Sequence, residues 1–236
     1  MDILLVICAV IIFICTSCST TKFVPDGKYL LTDVKIETDN KNVNTSQMEQ
    51  YINQKANTKW FSLFAVPLGT YNLSGRDSTK WINRILKRLG EEPVLFDTLK
   101  AEMSRKNLGT VMQNMGYLHA DVSLKTIAND KKIKVIYTLH TGKPYFIGNI
   151  EYDIYDKNIA QILDMKNENN RGLKKGMIFS INNLENERKR ITNILSDSGY
   201  YKFNKEYVRF EADTCVGNQK VDLDVVIPLY RASAES

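Results

Sequence analysis

Few side chains in this chain could act on a substrate, and none falls into a spacing that a reaction needs. The two histidines, His119 and His140, have no carboxylate or cysteine at ligand spacing, so the sequence does not support a metal site built on them. Asp222 and Asp224 share one face of a strand-like run, as a carboxylate pair would. That alternation is the commoner signature of a strand's solvent side. The chain has no phosphate-cradling glycine loop, no HExxH, no paired CxxC and no Gly-x-Ser-x-Gly elbow. Cys215 has no histidine near it in sequence and reads as a thiol half-covered in a strand rather than a nucleophile. The expectation is a protein without catalytic residues, metal or cofactor.

One cysteine has a chemical context. Residues Ile3 to Cys15 form an apolar run of thirteen, short of the ~20 helical residues that cross a bilayer but right for the apolar region of an export signal. Thr16 and Ser17 are small and precede Cys18. The combination resembles a bacterial lipoprotein signal, in which the thiol is acylated, the chain is cut before it and the new amino terminus is acylated as well, palmitate being one such group. Residues 1–17 would be the signal and 18–28 a tether. Stable anchoring takes more than one acyl chain. Ser19 to Lys22 contain no acidic residue, which favours the periplasm-facing leaflet of the outer membrane. Cys8 and Cys15 would leave with the signal, so Cys215 has no partner and no disulfide framework is expected.

The elements around these residues repeat. Phe96-Asp97 to Gly116-Tyr117 recurs with the same internal spacing as Phe179-Ser180 to Gly199-Tyr200. In each copy a cap-forming residue opens a helical pattern, and a glycine nineteen positions later closes it. Leu108, Val111 and Met112 align with Ile191, Ile194 and Leu195, an apolar stripe that must be covered. Before the first helix lie an alternating strand at Val34–Glu37 and a short helix from Asn44-Thr45 through Ile52. After it come strand-like Ala120–Thr126, a turn at Asn129-Asp130, and the alternation Ile133, Val135, Tyr137, Leu139. The order restarts with Phe146–Ile154, a helix around Ile159–Met165, the Ser180 helix, strand-like Lys205–Ala212, and Val221, Leu223, Val225, Ile227. The prediction is α+β: two tandem modules, each strand-helix-helix-strand-strand with a three-stranded mixed sheet under two helices. They span 29–142 and 143–230, with an insertion at about 57–93 in the first and a tail at 231–236. Each module is ~80 residues without the insertion, so its core is marginal.

The charge of +5 comes from 32 basic and 27 acidic residues that are interleaved. The clusters Lys87-Arg88 and Arg188–Arg190 read as solvated helix faces, with contact to anionic lipid headgroups as the alternative and nucleic acid not expected. Trp60–Phe64 is either core of an enlarged first module or an exposed contact patch.

The module order, with a glycine-aromatic step after the second helix, resembles the polypeptide-transport-associated (POTRA) domain. Further phrases are Val24-Pro25-Asp26-Gly27 with Tyr29-Leu30-Leu31, Tyr71-Asn72-Leu73-Ser74-Gly75, Trp81, and Gly90-Glu91-Glu92-Pro93-Val94. These resemble the N-terminal region of the translocation and assembly module lipoproteins of Bacteroidetes, within the outer-membrane assembly-factor superfamily. The resemblance implies a periplasmic, lipid-anchored scaffold; the competing expectations are an envelope lipoprotein enzyme acting on glycan, with its site in the inserted segment, and a structural tether in an envelope complex. The resemblance also implies a C-terminal β-barrel beyond this sequence, and unfolded outer-membrane proteins or a periplasm-spanning partner as its ligands. In such modules the second strand is the sheet edge. That implies Ala120–Thr126 and Lys205–Ala212 as docking rails, with Ala120, Val122, Leu124, Tyr207, Val208 and Phe210 as candidate binding residues.

Overall fold

A computed structural model describes residues 21–57, 68, 71–72, 74, 80–214 and 217–230. Cys18 with its apolar leader, the Trp60–Phe64 segment and Cys215 lie outside the described residues. The chain divides into two compact units, Met1–Leu108 with Val122–Leu139, and Gly109–Asp121 with His140–Ser236.

In chain order the elements are β1 (Leu30–Thr38), α1 (Thr45–Met48) continued by a 3-10 turn at Glu49–Tyr51, α2 (Trp81–Leu89), α3 (Thr98–Asn114), β2 (Asp121–Asn129) and β3 (Lys132–His140). These are followed by β4 (Phe146–Ile154), α4 (Lys157–Leu163), α5 (Ile181–Asp197), β5 (Arg209–Asp213) and β6 (Lys220–Ile227). The sheets run β1-β3-β2 and β4-β6-β5, so the last strand of each module sits in the middle. β1 is parallel to β3, and β4 is parallel to β6. A parallel pair needs a long crossover, and the helices between the strands supply it. β5 is antiparallel to β6, which makes the second sheet mixed. The expected α+β architecture of two strand-helix-helix-strand-strand modules is therefore present, with α2 as an extra helix in the first.

Local chemistry explains the helix ends. Asp97 Oδ1 accepts from the amides of Leu99 (2.9 Å) and Lys100 (3.2 Å), and Ser180 Oγ accepts from Asn183 at 3.3 Å. These caps satisfy amides that a first helical turn leaves unpaired. Gly116 and Gly199, at φ of +98° and +96°, let the chain turn out of α3 and α5. The stripe between cap and glycine is interior: Leu108, Met112, Ile191 and Leu195 are all fully buried. Ile191 and Leu195 share one core with Leu223, Val225 and Ile227 of β6, and the inward residues of β3, Ile133, Val135, Tyr137 and Leu139, are buried too.

Expected elements shift in extent: the strand expected at Val34–Glu37 runs Leu30–Thr38. The strand expected from Ala120 begins at Asp121 and runs to Asn129. The helix expected around Ile159–Met165 is Lys157–Leu163, capped by Asp156 and ended by Asp164 at φ 42°. The strand expected over Lys205–Ala212 starts only at Arg209. The Asn204 side chain accepts from the Glu206 amide and folds Lys205–Tyr207 into a 3-10 turn, closed by Val208 N–H donating to the Lys205 carbonyl at 3.1 Å. Aromatic packing fixes that turn, with the Tyr207 ring 5.2 Å from Phe203 and 5.5 Å from Tyr230.

Candidate strand-docking edges

A sheet can accept a further strand only where its margin carries unpaired amides and carbonyls. The two margins of each sheet differ. On the β1 side, Leu31 N–H donates to the Val94 carbonyl and Phe96 N–H to the Tyr29 carbonyl, both at 2.8 Å. On the β4 side, Ile147 N–H donates to the Met177 carbonyl at 2.8 Å and Phe179 N–H to the Tyr145 carbonyl at 2.9 Å. The residues before α3 and α5 thus close the start of each parallel margin, through bridges Leu30↔Leu95 and Phe146↔Ile178. The opposite margins are formed by β2 and β5, which end their sheets.

The main chain of β5 shows which residues face outward. Val208 N–H is used by its own turn and its carbonyl accepts from Arg188 Nε at 2.9 Å, so neither group reaches β6. The two-residue period of an antiparallel ladder then turns the main-chain groups of Phe210 and Ala212 outward as well, while Arg209 and Glu211 face β6. The β6 side agrees: the Ile227 carbonyl is engaged by Tyr155 on the β4 side, so Val225 and Leu223, which oppose Phe210 and Ala212, also face β4. In the first unit the Val122 carbonyl accepts from Arg105 Nη1 at 3.4 Å, which marks the same period for Leu124 and Thr126.

A charged pair recurs beside both margins. Arg105 is bound to Glu102 at 2.6 Å, and Arg188 to Glu185 at 2.6 Å. The arginine hydrogen bonds hold both carboxyls below their usual pKa. Each guanidinium thereby reaches the first outward carbonyl of an edge strand, and Arg188 also lies 5.0 Å above the Phe210 ring. The sequence contains the signal, a Glu-x-x-Arg at the same place in both repeats, but only the fold shows its target.

The expected binding residues thus separate. Val122, Leu124 and Phe210 lie on the outward period of edge strands. Ala120 precedes β2 in a turn, its N–H donating to the Tyr117 carbonyl at 2.9 Å. Tyr207 and Val208 belong to the aromatic turn and the core, and the main-chain groups of Val208 are already used. Thr126 and Ala212 join the outward set.

The remaining polar candidates have structural partners. His119 Nε2 lies 2.8 Å from the Tyr145 hydroxyl, and His140 ends β3. Among the described residues no three His, Cys, Asp or Glu side chains cluster to hold a metal. Asp222 accepts from Asn149 N–H at 2.7 Å and fills the irregularity in β4, and Asp224 is half-buried across from Glu151 and Glu211. Asn57 Nδ2 reaches Glu91 at 3.2 Å and Tyr71 Oη reaches Glu92 at 3.4 Å.

One buried charge was not anticipated. Glu187 is enclosed, its two oxygens accepting from Arg190 Nε and Nη2 at 2.7 Å and from Tyr152 Oη at 2.8 Å. Arg190 is therefore no solvated helix face. Burial first, then Glu187, pushes the Tyr152 phenol well above its usual pKa, and Arg171 stacks 5.4 Å over its ring. A carboxylate held on both oxygens is a structural anchor rather than a poised acid.

No protein-family model matches the chain, and no curated protein matches it. Among solved structures it is similar to BamA from Haemophilus ducreyi lacking POTRA domains 1–3, with TM-score 0.39 and 13% identity over 84% of this chain and 29% of that chain. It is similar to POTRA3–5 of Haemophilus influenzae BamA at TM-score 0.34 and 11% identity, over 87% of this chain and 99% of that one. It is also similar to POTRA1–2 of the periplasmic domain of Omp85 from Anabaena at TM-score 0.34 and 11% identity, covering 88% and 100%. Because every one of these likenesses lies below a TM-score of 0.5, the architecture rests on the chain's own topology, two successive strand-helix-helix-strand-strand units whose second strand forms an outer edge.

Proposed function

We propose that this chain is the periplasmic, lipid-anchored scaffold region of an outer-membrane protein assembly or translocation factor, and that it receives extended segments by strand addition to β5 and β2. The supporting observation is the outward main chain of Phe210 and Ala212, matched by Leu124 and Thr126. Main-chain pairing gives affinity with little sequence demand, as suits clients that share only an extended form. In this reading the clients are unfolded outer-membrane proteins or a β-segment of a periplasm-spanning partner. Arg105 and Arg188 occupy the first outward carbonyl of each rail and so set where an incoming strand starts. No catalytic group, metal or cofactor takes part.

Proline tests the rails selectively. At Ala212 or Thr126 it removes an outward N–H, whereas at Glu211 it removes a ladder bond to β6. The double variant Ala212→Pro/Thr126→Pro should weaken capture of a peptide copied from a barrel strand at least tenfold, read by fluorescence anisotropy. Its melting temperature should stay within a few degrees of the parent, while Glu211→Pro lowers it. Undiminished capture by the double variant overturns the reading.

The anchor has its own test. Cys18→Ala should abolish incorporation of labelled palmitate into the chain expressed in a bacterial envelope. Persisting label would remove Cys18 as the acylation site while leaving strand addition intact.

A further inference from the structure

Helix α2 is built the wrong way round for a helix packed on a core. Trp81, Ile82 and Ile85 are 65%, 52% and 45% exposed, whereas Asn83 and Lys87 are half-buried. At helical spacing the three large apolar side chains share one arc of ~100°. Arg84 and Arg88 border that arc on its Trp81 side, Lys80 and Lys87 lie opposite it, and residues 80–89 contain no Asp or Glu. Isolated exposed apolar residues are ordinary, but three on one helical face, bordered on one side by Arg84 and Arg88, form a patch shaped for a surface that is apolar inside and anionic outside.

The location of this helix indicates the same surface. The Lys87 ammonium lies 5.8 Å from the Phe23 ring centroid, and Phe23 packs edge-on against Tyr71 at 5.3 Å. Lys22 Nζ donates to the Asn72 and Ser74 carbonyls at 3.1 and 2.8 Å. Lys22 and Phe23 are thus fixed beside α2, and five residue steps separate Cys18 from Phe23, a span of at most ~18 Å. Whatever holds Cys18 at a bilayer holds α2 within reach of the headgroups.

We propose that α2 is a membrane-surface helix, lying in the headgroup region of an anionic bilayer with Trp81, Ile82 and Ile85 inserted and Arg84 and Arg88 on lipid phosphates. This shares only the position of Cys18 with the proposed function and does not depend on strand addition.

The test uses the chain from position 18 onward, without the apolar leader, with Cys18→Ala, which removes acylation, and Trp60→Phe, which leaves Trp81 as the sole tryptophan. Vesicles of phosphatidylcholine with 30% phosphatidylglycerol, with and without brominated acyl chains, are titrated in while Trp81 emission is recorded. The expected result is a blue shift with bromine quenching, about tenfold weaker on pure phosphatidylcholine, and at least tenfold weaker when Arg84→Glu and Arg88→Glu are added. Circular dichroism of that variant confirms that it folds. An emission spectrum that stays that of a water-exposed indole at saturating anionic vesicles overturns the proposal. So does a shift without lipid that grows with protein concentration, which would give the face to a second copy.

Discussion

Arg190→Met is expected to destabilise the second unit by about 3–5 kcal/mol, because it strands a buried carboxylate. In the native chain both oxygens of Glu187 are held by the Arg190 guanidinium, and Tyr152 supplies a third hydrogen bond. Methionine fills the volume and leaves the charge. Urea unfolding reads the loss, and a cost below about 1 kcal/mol would show that the pair is not held in a low-dielectric site. The double variant Glu187→Leu/Arg190→Met should recover most of it, since apolar replacement of a whole buried pair is often near neutral. Gly172 belongs to the same packing, because a Cβ there would collide with the Glu187 carboxylate. A pH effect accompanies the pair. The folded-state pKa of Tyr152 is raised, so its contribution is fully present below the unfolded phenol value of about 10 and is lost as pH climbs above it. Tyr137, also raised by burial, contributes in the same window. Tyr152→Phe should flatten part of the alkaline loss of stability.

Gly116→Ala should cost about 2–4 kcal/mol and Gly199→Ala only about 1, although the two glycines close equivalent helices. Both carry strongly positive φ, so any side chain is strained at either place. The difference is space. A Cβ at Gly199 meets nothing within 4 Å, whereas at Gly116 it would lie 2.7 Å from the Phe179 carbonyl oxygen. Backbone cannot step aside as a flexible side chain can. The Gly116 N–H donates to Gln113 and its carbonyl accepts from Tyr145 N–H at 2.8 Å, so the residue is held on both sides. Paired thermal melts read the contrast, and equal losses in the two variants would refute it.

The duplicated caps, apolar stripes and alternating strands could be read from the sequence because each depends on neighbours a few residues away. Asp97 and Ser180 satisfy amides within their own first turn, and Leu108, Met112, Ile191 and Leu195 are interior because helical periodicity puts them on one face. The Lys205–Tyr207 turn was missed because its residues alternate well enough for a strand, and the deciding hydrogen bond comes from Asn204. Glu187 sits on the stripe with Leu184 and Ile191, a charge in an apolar register that could have been noticed.

The sequence by itself determined two helix-and-strand modules. Local periodicity and capping are written in adjacent residues, so no contact at long range is needed to recognise them. Tertiary structure alone decided which margins remain open. The Leu95 and Ile178 bridges close the start of the β1 and β4 sides, while Arg105 reaches the Val122 carbonyl in β2 and Arg188 the Val208 carbonyl just before β5. Those outcomes depend on which strand lands between the other two, and that is fixed when the whole sheet buries its face under the helices, not by any one segment.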